Sequence, residues 1–205
     1  MANDNNKAKG SEKILRAPGE GKARLIAILM VVIAIFIGTR GSLMKLRNEA
    51  LGYFTDGDPS NSLDYGIQYD LNEKVSFAGH LITISKRYGV DENDSFIKNI
   101  KTDCEKLQGN ADPNVKFRYN EHLTQDAYAL VQYLQDMMDA GEIDITDSDI
   151  DLIAGAIVDM ESADKRMGHS VYNDKARAFN QTLSAFPTNV TRLIAFVKPL
   201  TLFDY

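Results

Sequence analysis

Hydrophobic positions follow two regimes along the chain. From Leu25 to Thr39 the sequence LIAILMVVIAIFIGT runs fifteen residues without a charge, closed by Arg24 and Arg40. From Leu43 onward apolar residues recur every three or four positions, and no run alternates in the manner of a half-buried strand. The first regime is apolar on every face, which is unusual for a core helix of a water-soluble domain. As a helix it covers ~22 Å, and snorkelling Lys and Arg stems extend the span to residues 24–42. A cleaved signal peptide fits less well than a retained anchor, because Arg40 stands where a small-residue cleavage site should follow.

The second regime predicts helices. Leu43 to Ala50 continues from the apolar run, and the turn-forming stretch Asp56-Gly57-Asp58-Pro59-Ser60-Asn61-Ser62 interrupts it. A helix from Ser62 to Tyr88 follows, with a stripe through Leu63, Ile67, Leu71, Val75, Ala78 and Ile82. Asp94 to Leu107 is a shorter one that places Cys104 among core positions. Asp112-Pro113 opens another, with Val115, Tyr119, Leu123, Ala127, Leu130 and Leu134, ending near Gly141. Thr146 with Asp149 signals the start of a final helix that reaches Phe186, whose stripe drifts from Val171 to Tyr172 as a long straight helix would. The pattern therefore predicts an all-α chain: an N-terminal transmembrane helix, then an elongated antiparallel bundle of about four helices. The segments are a disordered basic tail (1–23), the membrane helix (24–42), the bundle (43–187) and an apolar C-terminal tail (188–205), which by default packs on its own bundle.

Charge adds an orientation. The net charge of −6 over 205 residues averages unlike regions. Lys7, Lys9, Lys13, Arg16, Lys22 and Arg24 precede the apolar run against three carboxylates, whereas residues 41–205 hold 16 basic and 26 acidic groups, a net −10. The positive-inside rule puts the amino terminus in the cytoplasm and the bundle outside. An acidic domain of this kind is a poor partner for nucleic acid. One cysteine excludes an internal disulfide or a multi-thiolate zinc site.

Candidate chemistry is sparse. Asp147, Asp149 and Asp151 mimic the start of a calcium loop, but Leu152 stands at the glycine position and Val158 at the bidentate glutamate, so helix capping explains them better. His80, His122 and His169 have no metal-ligand spacing, and nucleophile and phosphate-loop motifs are absent. No catalytic residue, cofactor or metal site is expected. Asn173 and Asn180, seven apart, share a helix face. They are either ligand or partner contacts or, the favoured reading, amides that hydrogen-bond across helices and fix register.

Tyr172-Asn173, Phe179-Asn180 and Phe186-Pro187, separated by five residues each time, resemble the carboxy-terminal signature of the bacterial LemA family. Ala195-Phe196, Lys198-Pro199 and Phe203 are similar to the family's ending, and Leu43 to Asn48 to its juxtamembrane motif. The resemblance implies a single amino-terminal anchor, a helical bundle outside the plasma membrane and no established catalytic activity. The expectation is a scaffold or protein-interaction module of the cell envelope that contacts the bilayer through residues 24–42 and other envelope proteins through its bundle. A sensory or small-ligand-binding bundle is the alternative, and a homo-oligomer is compatible with either. Tyr172, Asn173, Phe179, Asn180, Phe186 and Pro187 are the candidate partner or register contacts.

Overall fold

The computed structural model describes residues 19–185 and 187–205. Most of the basic tail, and Phe186, lie outside the described residues. The described chain is all-helical: α1 (Glu20–Asp56), α2 (Ile67–Arg87), α3 (Ser95–Gln108), α4 (Pro113–Asp139), α5 (Asp147–Gly168), α6 (Val171–Ser184) and α7 (Thr188–Ala195). It divides into two compact units, one ending at Gly38 and one from Thr39 to Tyr205.

The first unit is the apolar part of α1. Leu25, Ile28, Val31, Ile35 and Ile37 are each more than half exposed, so no protein surface covers them. This is one helix long and apolar enough to cross a membrane.

In the second unit, α2 to α5 form a bundle in which α5 packs chiefly on α2, and α3 chiefly on α4. Ion pairs fix the direction of α5 against α2. Asp70, at the start of α2, accepts from Arg166 near the end of α5 (2.7 Å), and Arg87, at the end of α2, donates to Asp149 near the start of α5 (2.6 and 2.8 Å). The two helices are antiparallel. Side chains cap four helix starts: Asp94 accepts from Phe96 N, Asp112 from Asn114 N, Thr146 from Asp149 N and Ser170 from Tyr172 N. Each such cap contributes about 1 kcal/mol. Pro113 follows its cap directly, as the Asp112-Pro113 pair predicts.

Three expectations need correction. The helix expected from Ser62 begins at Ile67, leaving Leu63 80% exposed in the loop instead of on the core stripe. That loop is pinned by Gly57 (φ 73°) and Gly66 (φ 78°), where a Cβ on Gly57 would fall 1.9 Å from the Asp64 carbonyl. The long final helix is two helices, broken at His169-Ser170. Ser170 caps α6, and Asn173 Nδ2 donates to the Met167 and Gly168 carbonyls at the end of α5 (2.8 and 3.1 Å). The stripe moves from Met167 to Tyr172 where the helix is interrupted, not by the drift of one straight helix. Finally, the stripes of α2 and α4 depart from the apolar pattern at single positions: Ile67, Leu71, Ala78, Leu123, Ala127, Leu130 and Leu134 are buried as expected, but Lys74, Lys116 and Asn120 are buried where Val75, Val115 and Tyr119 are only half-buried.

Candidate functional site

Of the residues singled out at the C-terminal signature, Tyr172, Asn173 and Asn180 form a clasp on the chain's own tail. Asn173 Oδ1 accepts from Phe203 N (2.8 Å) while its Nδ2 donates to Phe203 O (3.2 Å). Asn180 repeats this pairing with Leu200 N and O (2.9 and 2.7 Å). Asn114, on α4, accepts from Thr201 N (2.7 Å) and donates to Pro199 O (3.0 Å). Each primary amide presents one donor and one acceptor to the backbone, so three side chains do for this extended tail what a neighbouring strand would do. Tyr172 is fully buried, and its hydroxyl donates to Thr201 O (3.0 Å). Its ring meets Phe54 of α1 edge-on at 5.2 Å, and Phe203 sits among Phe54, Phe117, Tyr172 and Tyr205 with ring centres 5.3 to 6.5 Å away. Phe179 is buried, and Pro187 leads into α7. The Asn180 amide thus bonds to the tail backbone, and the Asn173 amide both to the tail backbone and, across helices, to the end of α5. Val197, Leu200 and Phe203 are buried, so this part of the tail packs on its own bundle.

A charged network lies deeper. Lys74 is wholly buried, and its ammonium donates to Asp164 Oδ1 and Oδ2 (2.7 and 2.8 Å) and to Thr124 Oγ1 (2.7 Å). Asn120 donates to Asp164 (2.9 Å) and to Tyr205 Oη (2.7 Å), linking this network to the tail. Burial holds the lysine below its usual range, with Asp164 opposing the shift. Lys74 of α2, Thr124 of α4 and Asp164 of α5 bond one another inside the bundle, so the cluster ties helices together and offers no accessible nucleophile. Asp103 on α3 is also buried, with Oδ2 lacking a hydrogen-bond partner. Burial first, and the facing Asp126 second, push its carboxyl up to about 7.

Among the described residues no three His, Cys, Asp or Glu side chains gather to hold an ion. Asp149, in the calcium-like run, is taken by Arg87 and by the Tyr88 hydroxyl (2.5 Å), which hold its carboxyl below the usual range. Burial pushes the Cys104 thiol up to about 12, which makes it inert at neutral pH.

An uncovered apolar groove of about 370 Å³ lies between α4 and α5, which touch only sparingly. Val131, Leu134 and Met138 form one wall; Ile150, Ile153, Ala154, Ile157 and Val158, spaced as one helical face, form the other. Ile150, Ala154 and Val158 are exposed. The two helices and their connection are acidic in sequence: from Tyr119 to Asp164 there are twelve carboxylates and no lysine or arginine, with Asp149 and Asp164 paired to Arg87 and Lys74 of α2. Glu161 takes the Tyr128 hydroxyl at one end, and Asp139 accepts from Gln135 at the other (3.0 Å). Composition alone did not locate this surface; the unbroken acidic stretch flanking an apolar face was its signal. Compared with family models, curated proteins and solved structures, the chain matches none.

Proposed function

We propose that this chain is a LemA-like, membrane-anchored interaction module of the bacterial envelope. Its amino terminus is cytoplasmic, its helical domain lies outside the plasma membrane, and it works by binding and not by catalysis. The anchor reading rests on the exposed apolar half of α1, and the orientation on the basic residues that precede it. The α4–α5 groove carries the functional reading. An apolar trough whose lining residues Tyr128 and Gln135 carry Glu161 and Asp139 complements the apolar face of a basic amphipathic helix, presented by a partner protein. Apolar contact supplies affinity, and the acidic surround supplies steering and selectivity.

The test is titration of the full chain in nanodiscs with a leucine–lysine amphipathic helical peptide, using a leucine–glutamate peptide as control. Only the basic peptide should bind, and Ala154→Glu, on the exposed groove wall, should abolish binding although it adds negative charge. Binding that tightens in Ala154→Glu would reduce the effect to charge attraction and overturn the groove. For topology, Ser60→Cys in a Cys104→Ala background should react with an impermeant thiol reagent on intact cells. Labelling only after lysis reverses the orientation.

A further inference from the structure

A second cavity, of about 550 Å³, opens between the Arg47–Thr55 stretch of α1, the start of α2 and the α3–α4 turn. On its wall lies Lys116, in the first turn of α4 and 4% exposed. Its ammonium donates to Gln68 Oε1 and to Leu107 O (2.9 Å). An ammonium has three N–H groups, so one remains. Among the described residues no carboxylate lies within 4.0 Å of it to form an ion pair. A buried cation without a counter-charge is costly, and chains seldom keep one without a use for it. Arg47 faces the same cavity with its side chain 15% exposed, one guanidinium nitrogen engaged by Asp112 and the rest of its fork of donors uncommitted to a carboxylate. Leu51 and Phe54 give the cavity an apolar side, and Gln68 and Asn72 a hydrogen-bonding one.

We infer that this cavity binds a small organic anion, its carboxylate or phosphate group held by Lys116 and Arg47 and its body resting on Leu51 and Phe54. Volume and lining suit a ligand of that size, with few polar groups set to orient it. Burial alone, unopposed by any neighbouring charge, holds the lysine below its usual range, and a bound oxyanion reverses that shift. The site uses the opposite end of α4 from the α4–α5 groove and stands independently of what that groove binds.

Calorimetric titration of the full chain in phosphatidylcholine nanodiscs with phenyl phosphate, benzoate and the neutral benzyl alcohol tests this. At least one anion should saturate a single site, benzyl alcohol should not, and Lys116→Met and Arg47→Met should each weaken binding by roughly tenfold or more. Repeating the titration with phosphatidylglycerol in the nanodisc separates sources: weakened binding of the soluble anion assigns the site to a lipid headgroup, and unchanged binding to a free anion. Absence of saturable binding by either anion overturns the site. So does affinity unchanged in the variants that melt as the parent does; if Lys116→Met fails to fold, Arg47→Met decides alone.

Discussion

Two lysines are buried in this bundle, and the chain treats them differently. Lys74 is surrounded by what a buried charge requires: a carboxylate in bidentate contact, a hydroxyl, and an asparagine that in turn steadies the carboxylate. Lys116 has an amide oxygen and a backbone carbonyl but no carboxylate, and it borders open space where Lys74 borders packed helices. The first arrangement is closed and holds α2, α4 and α5 in register. The second leaves a positive potential facing a cavity. Burial of charge is thus not one phenomenon here, and only the uncompensated case points outward to a ligand.

This contrast can be broken experimentally. The largest effect should come from Lys74→Met, which strands Asp164 and should cost about 3–5 kcal/mol in a denaturant melt. Adding Asp164→Leu should recover much of it, and failure to recover would show that the network matters for more than its charge. Asn173→Leu should cost about 3 kcal/mol, because it leaves tail and α5 backbone groups unpaired in a buried setting. A smaller loss would mean that water replaces the clasp. Asp103→Asn should act in the opposite direction. With its carboxyl raised to about 7, the folded state holds a proton through the interval from about pH 4 to 7 that the unfolded state has released. Its contribution to stability is therefore lost as pH rises through about 7. The variant should be more stable than the parent by about 1–3 kcal/mol at about pH 8, and the gap should close towards about pH 4. The smallest effect belongs to Lys116→Met, within about 1 kcal/mol, since no carboxylate is stranded and Leu107 O keeps its bond from Gln68. A loss as large as that of Lys74→Met would place Lys116 with the structural charges.

Helix content, most helix starts and the apolar span were legible because caps, prolines and periodicity are local signals. The polar core was not. Reading the stripe from apolar residues alone selected Val75, Val115 and Tyr119, which are half-buried, and passed over Lys74, Lys116 and Asn120. Spacing did carry the information: Lys74 lies three residues after Leu71 and four before Ala78, and Asn120 three before Leu123, all buried. The break at His169-Ser170 had a local sign in the Ser170 cap, but the tail that Asn173 holds there returns from thirty residues further on. Asn173 and Asn180 stood out in the sequence by their spacing of seven on one helix face. Their partners could not be read, since an extended segment some twenty to thirty residues away carries no periodicity to announce where it docks.

The clasp also has a signature in time. The amides of Leu200, Thr201 and Phe203 belong to no helix or strand, yet each donates to an asparagine carbonyl, and Phe203 is sealed under four aromatic rings. Such protons exchange with solvent only when their segment opens, and neighbours that open together exchange at one common free energy. These three amides should therefore show the slow, matched hydrogen exchange of a core element. When they do open, Tyr205 leaves Asn120 with them, so a single local fluctuation uncouples the tail from the charged centre of the bundle.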